Sequence, residues 1–232
     1  RGLQTVHEKW DNNTAILSGD TMLVQAFDFI SQVEDKNLRK ILEVFNKAAT
    51  EVCEGQQWDM NFEEREDVTI SEYLKMIEYK TAVLLATSLQ IGSINAGASI
   101  EQQNHMYDFG KNIGIAFQLK DDLLDAFGDP DIFGKQVGGD IKANKKTYLY
   151  LKALELANES QKKQLLCLFS EENENKVNEI KSIFSDLKIQ ECTIDLINNN
   201  YYTEAIKHLD AIVSDNKAPL TEFTERIKER IS

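Results

Sequence analysis

Proline is almost missing from this chain, with two in 232 residues where about 5% is usual. Proline interrupts helices and strand ladders, and glycine marks turns. So few of the first, with only 11 of the second, disfavour a many-turned β-sandwich and favour long helices. Cysteine is scarce as well. Cys53, Cys167 and Cys192 are far apart, odd in number and never spaced C-x-x-C. That pattern fits a reducing compartment such as the cytoplasm, and neither a disulfide scaffold nor a zinc site. Positive charge is in deficit: 26 Lys and Arg against 39 Asp and Glu leave a net charge of −13. This argues against non-specific nucleic-acid binding and against a basic membrane-surface module. The opening RGLQTVHEKWDNN is polar and has no apolar signal-peptide core. A charge-free stretch from Thr81 to Ile100 is long enough to cross a bilayer. Thr81, Thr87, Ser88, Gln90, Ser93, Asn95 and Ser99 make it too polar to face lipid. It reads as a helix enclosed on all sides by other helices, and no transmembrane segment is expected.

What is present is helical periodicity. Hydrophobic residues at 42% and charged residues at 28% are ordinary for a soluble chain with a core. Leu38, Ile41, Leu42, Phe45, Ala48, Ala49 and Val52 recur at three- and four-residue spacing, with Arg39, Lys40, Glu43 and Lys47 opposite. Gly55 reads as the stop of that helix. Thr14 to Ile30 reads as the helix before it. Thr69 with Glu72 predicts a capping box opening a helix toward Gly97, and Ser99 with Gln102 a second box opening a helix that ends at Gly128-Asp129-Pro130. Helices continue from Thr147, and the acidic SEENENKVNE (170–179) reads as a solvated loop and helix start. No run of strands alternates convincingly. The expectation is one all-α domain over residues 1–232, a multi-helix antiparallel bundle around a central cavity.

Chemistry concentrates between Gly114 and Thr147. Asp121, Asp122 and Asp125 in GIAFQLKDDLLD stand at i, i+1 and i+4. Asp121 and Asp125 therefore lie one turn apart on one face, and Asp122 about 100° round the helix. Like charges so close, at a helix's negative end, are unfavourable unless cations are supplied. Carboxylates, water and substrate phosphate together make the usual Mg²⁺ arrangement. A solvated acidic patch is the plainer reading of such a string alone. Four of the 11 glycines fall in the next twelve residues, GDPDIFGKQVGG, which also hold Lys135, and Lys142, Lys145 and Lys146 follow. A glycine-rich, lysine-bearing loop beside carboxylates suits closure over a phosphorylated ligand; scattered surface lysines are the alternative. Lys80 and Thr81 start the charge-free helix, where the lysine needs a counter-anion or an exit to water. Gln118 sits nearly one turn before Asp121 and could bond a phosphate or another helix. His7, His105 and His208 read as surface or core-edge residues, and Tyr107, Phe109 and Phe117 as core.

Together these strings resemble the trans-isoprenyl diphosphate synthases, which make farnesyl, geranylgeranyl and longer polyprenyl diphosphates. GIAFQLKDDLLD is similar to that family's second aspartate-rich motif, and GKQVGGDIKANKKT to the lysine-bearing loop after it. ILSGD, GQQWDM and EYKTAVLLATSLQIGSINAGA also resemble family blocks, and the likeness runs from Arg1 to about Leu154. The family's first DDxxD motif is absent from this chain. RGLQTVHEKW resembles the segment just after it, so an N-terminally truncated chain is expected, with product length not readable. The resemblance implies that Asp121, Asp122 and Asp125 hold Mg²⁺ on an allylic diphosphate. It implies that Lys80, Lys135 and Lys145 contact that diphosphate, with Thr81 and Gln118 beside it. It further implies that Arg1 contacts isopentenyl diphosphate.

The implied reaction is prenyl transfer from the allylic diphosphate to isopentenyl diphosphate, giving a short-chain isoprenyl diphosphate. Asp121, Asp122, Lys80 and Lys135 would be its catalytic groups. A homodimer is implied, with Thr14 to Ile30 and Leu38 to Val52 as interface helices. Two other readings stay open: a non-catalytic helical subunit regulating an active synthase, and a terpene cyclase on the same fold. The 232-residue chain alone is expected to be poorly active.

Overall fold

The computed structural model describes residues 3–128, 138–170 and 175–229. A short α1 (Val6–Lys9) precedes α2 (Asn12–Ser31) and the long α3 (Asp35–Glu64). Next come α4 (Ile70–Ile77), a π turn (Glu78–Ala82) and α5 (Val83–Asn95), in continuous helical progression. The long α6 (Ile100–Phe127) follows, then a four-residue α7 (Gly139–Lys142). The rest is α8 (Tyr148–Leu156), α9 (Glu159–Ser170), α10 (Lys176–Asp186) and α11 (Ile189–Leu196). A second π turn (Ile197–Tyr202), α12 (Thr203–Ala211) and α13 (Ala218–Glu229) complete it. Among the described residues there is no strand, and no helix is long and apolar enough to cross a membrane.

The main core gathers around α6, whose Phe109, Ile113, Ala116 and Leu119 are fully enclosed in one cluster with Met76 and Ile77 of α4, Leu149 of α8, Ile180 of α10 and Ala205 of α12. A smaller cluster of Ile30, Ile41 and Ile94 joins α2, α3 and α5 at another point.

Several local expectations meet a different outcome. Gly55 does not end α3; the helix runs through it to Glu64. A Cβ there would collide with the backbone of Tyr79 and Lys80. The glycine permits close approach, which propensity rules alone do not reveal. Thr69 and Glu72 form the full reciprocal capping box. Ser99 caps α6 through the Gln102 amide, but the Gln102 side chain bonds the Ala211 carbonyl and the Val213 amide instead. The charge-free helix is not enclosed on all sides: Leu84, Ser88 and Gly92 of α5 are exposed along one stripe. The more buried helix is α6, although it carries charge, because its interior charges have partners. Lys120, 2% exposed, donates to the carbonyls of Ile227 and Lys228 in the last turn of α13, the negative end of that helix. His105 on α6 and His208 on α12 meet Nδ1 to Nδ1 at 3.0 Å.

Candidate functional site

The site begins with a backbone irregularity. Lys80 and Thr81 lie within the π turn, where one extra residue is accommodated in a helical course. Gly55 of α3 meets this turn from one side, and Gly114 of α6 packs against Ala82 from the other. With no side chains at these two points, the turn sits close between α3 and α6. The Lys80 ammonium reaches Asp59 of α3 at 2.5 Å, and the Thr81 hydroxyl donates to the Gln118 Oε1 of α6 at 3.0 Å.

From α6, Gln118 passes the contact on, its Nε2 donating to Asp122 at 3.2 Å. Asp122 is 3% exposed, and its other oxygen accepts a hydrogen bond from the Tyr73 hydroxyl of α4. Burial pushes its carboxyl up to about 7, with Asp140 adding to the rise and the Tyr73 and Gln118 bonds opposing it. Burial and the neighbouring Asp122 together raise the Tyr73 phenol well above its usual range, so it stays a donor.

The third wall is the turn after α7. Lys145 lies 3.2 Å from the Asp140 carboxylate. Burial alone would lower its ammonium's pKa, but Asp140, with Asp59 and Asp122 further off, outweighs that and raises it. Lys146 donates to the Glu63 carbonyl at 2.7 Å, closing the rim against α3. Asp59, Tyr73, Lys80, Gln118, Asp122 and Lys145 thus line one cavity of about 40 Å³, room for roughly one or two water molecules.

Of the sequence-read residues, the fold brings Lys80, Gln118, Asp122 and Lys145 together, with Thr81 bonded to the group. Asp121, half-buried, and Asp125 do not line this cavity. Asp125 faces α7: its carboxylate accepts the Asp140 amide at 2.9 Å, and its carbonyl accepts the Gly138 amide at 2.6 Å. Burial raises its carboxyl pKa, partly offset by the backbone amides of Asp140 and Gly139. Arg1 and Lys135 lie outside the described residues. Asp59, Tyr73 and Asp140 were not read from sequence as site residues. Asp59 stood in GQQWDM, but its partner is 21 positions away, and only the fold joins them.

Carboxylate oxygens are hard donors of the kind Mg²⁺ takes. Among the described residues no three His, Cys, Asp or Glu side chains converge as a ready cation cage. A buried carboxylate whose charge is disfavoured, flanked by lysines, is a place where a metal-bound phosphate would restore electrostatic balance.

Residues 1–187 match the family model described as polyprenyl synthetase. The chain belongs to this family. A geranylgeranyl diphosphate synthase of Methanosarcina mazei is 44% identical over 157 residues, which cover 67% of this chain and 48% of that protein. The match thus spans about half the length of that relative. A geranylgeranyl pyrophosphate synthetase from Pyrococcus horikoshii superposes with a TM-score of 0.90 at 33% identity, over 99% of this chain and 71% of that one. A geranylgeranyl pyrophosphate synthase from Corynebacterium glutamicum, solved with isoprenyl diphosphate and magnesium, gives a TM-score of 0.84 at 28% identity over 98% and 66%.

Proposed function

We propose that this chain carries the allylic-diphosphate half of a trans-prenyltransferase that condenses an allylic diphosphate with isopentenyl diphosphate into a short-chain isoprenyl diphosphate. The observation that carries the reading is the convergence of Lys80, Gln118, Asp122 and Lys145, from three separated segments, on one cavity. Relatives named for geranylgeranyl and short-chain isoprenyl diphosphate synthesis support the substrate class.

In this reading Asp121, Asp122 and Asp125 hold magnesium, as the magnesium bound in the Corynebacterium relative supports. Held there, the metal would supply positive charge to the departing diphosphate. Lys80 and Lys145 leave Asp59 and Asp140 to bind diphosphate oxygens, and Lys135 joins them. Lys80 and Lys145 each exchange a carboxylate partner for a phosphate one. Tyr73 and Gln118 orient the Asp122 carboxylate. As the diphosphate leaves, negative charge builds beside these cations, which stabilises the transition state. The enclosed faces of α3, α4 and α6 keep water from the allylic cation. Arg1 contacts isopentenyl diphosphate, whose double bond attacks that cation, and the released diphosphate accepts the proton.

The few, odd-numbered and widely spaced cysteines of the sequence support a cytoplasmic enzyme. The exposed apolar face of α2 supports a homodimer. This chain contains one aspartate-rich cluster, so its turnover alone is expected to be low, and the test is binding. Titration of a non-hydrolysable allylic diphosphate analogue into the chain should release heat only when Mg²⁺ is present. Asp122→Asn and Lys80→Met should each weaken that binding at least tenfold, roughly the effect of one lost charge-assisted bond. Absence of any magnesium-dependent binding removes the proposal.

A further inference from the structure

Behind the lysine turn lies a buried cation that the chemistry above does not use. α7 ends in a Schellman arrangement: the Asn144 amide donates to the Ile141 carbonyl at 3.2 Å, and the Lys145 amide to the Asp140 carbonyl at 3.0 Å. Asn144, between them, has φ of 56°. Glycine usually fills that left-handed place and asparagine is the common substitute. Lys145 is the next residue, so the conformation of Asn144 sets the direction in which Lys145 leaves the turn.

Lys176 opens α10 and is 6% exposed. Its ammonium donates to the Asn144 Oδ1 and lies 5.4 Å from the centre of the Phe169 ring. An ammonium taken out of water is costly unless its donors are used, and here one donor goes to the side chain of the left-handed residue. The neighbouring Val177 grips the other end of the segment. Gly138 has φ of 81°, and a Cβ there would lie 2.6 Å from Val177 Cγ1. The first turn of α10 thus holds residues 138–144 at both ends, through side chains that do not line the cavity.

We propose that Lys176 is a positioning residue: it holds Asn144 in its left-handed turn and thereby aims Lys145 at the cavity shared with Lys80 and Asp122. The inference rests on that cavity being the diphosphate site. It makes the far side of the loop a determinant of diphosphate affinity, although Lys176 touches no ligand.

A double-mutant cycle on the full chain tests this, using Lys176→Met, Asn144→Gly and the pair. Asn144→Gly keeps the left-handed backbone available and removes only the acceptor, so it serves even if Lys176→Met folds poorly. Calorimetry with inorganic pyrophosphate and Mg²⁺ should show each single variant roughly five- to tenfold weaker. The double variant should be no weaker than the worse single, since both remove one link. Amide exchange at Asn144 and Lys145 should quicken in each. In an active enzyme the KM for the allylic diphosphate should rise while that for isopentenyl diphosphate holds. Single variants that bind like the wild type, or losses that multiply in the double, overturn the inference alone. A wild type that binds no magnesium pyrophosphate overturns the site reading and this inference with it.

Discussion

Asp122 meets two demands that conflict. It is 3% exposed and held by Tyr73 and Gln118, yet its charged form is the one that binds metal. Replacing a buried charge with a neutral group of the same shape is often neutral or stabilising. Asp122→Asn should therefore leave stability unchanged or raise it by about 1 kcal/mol while removing magnesium-dependent binding. Tyr73→Phe should lower stability by about 1–3 kcal/mol, because the carboxylate then lacks a donor. Denaturant unfolding of both variants decides the matter, and a marked loss of stability in Asp122→Asn would count against this account. The same residues show what spacing can and cannot tell. The i, i+1, i+4 pattern put the three aspartates on one helix, as α6 has them, but did not show which of them faces the cavity. Tyr73 on α4 and the Asp140 amide of α7 settle that, and neither is near them in sequence.

At the scale of elements, caps and periodicity were legible because they are local. The Thr69–Glu72 box, the course of α6 to Phe127 and the start of α8 at Thr147 all rest on residues within a turn of each other. Close approach between helices was not legible. Gly55 carries a stop signal in isolation, whereas in the fold it is the point where α3 meets the π turn carrying Lys80. Gly55→Ala has no flexible side-chain end to displace; its methyl meets backbone. It should lower stability by about 1–3 kcal/mol, the usual range for overpacking, and weaken pyrophosphate binding by moving Lys80. Thermal unfolding and calorimetry on the same sample check both effects. If stability falls and binding does not, the π turn does not set the position of Lys80.

For the whole molecule, the amphipathic periods predicted an all-helical bundle, and the fold agrees. What they could not distinguish is a face that packs within the chain from one that packs against something else, since both are apolar. α2 shows the difference. Of its twenty residues only Ile30 is buried, and Phe27 meets Phe45 of α3 edge-on at 5.2 Å. Ile16, Leu17, Leu23 and Val24, seven residues apart in pairs, stand 50–65% exposed along one stripe. Covering each such side chain is worth about 1.5–3 kcal/mol, so a second copy laid along this stripe would gain several times what one exposed ion pair gives. A carboxylate placed there would have to be buried without a partner. Leu23→Asp combined with Val24→Asp should therefore halve the mass measured by sedimentation equilibrium while the helical circular dichroism signal persists, because neither side chain supports the core of its own chain. A wild type that sediments as a monomer at micromolar concentration, or a double variant that remains dimeric, would show that this stripe is not where two copies meet.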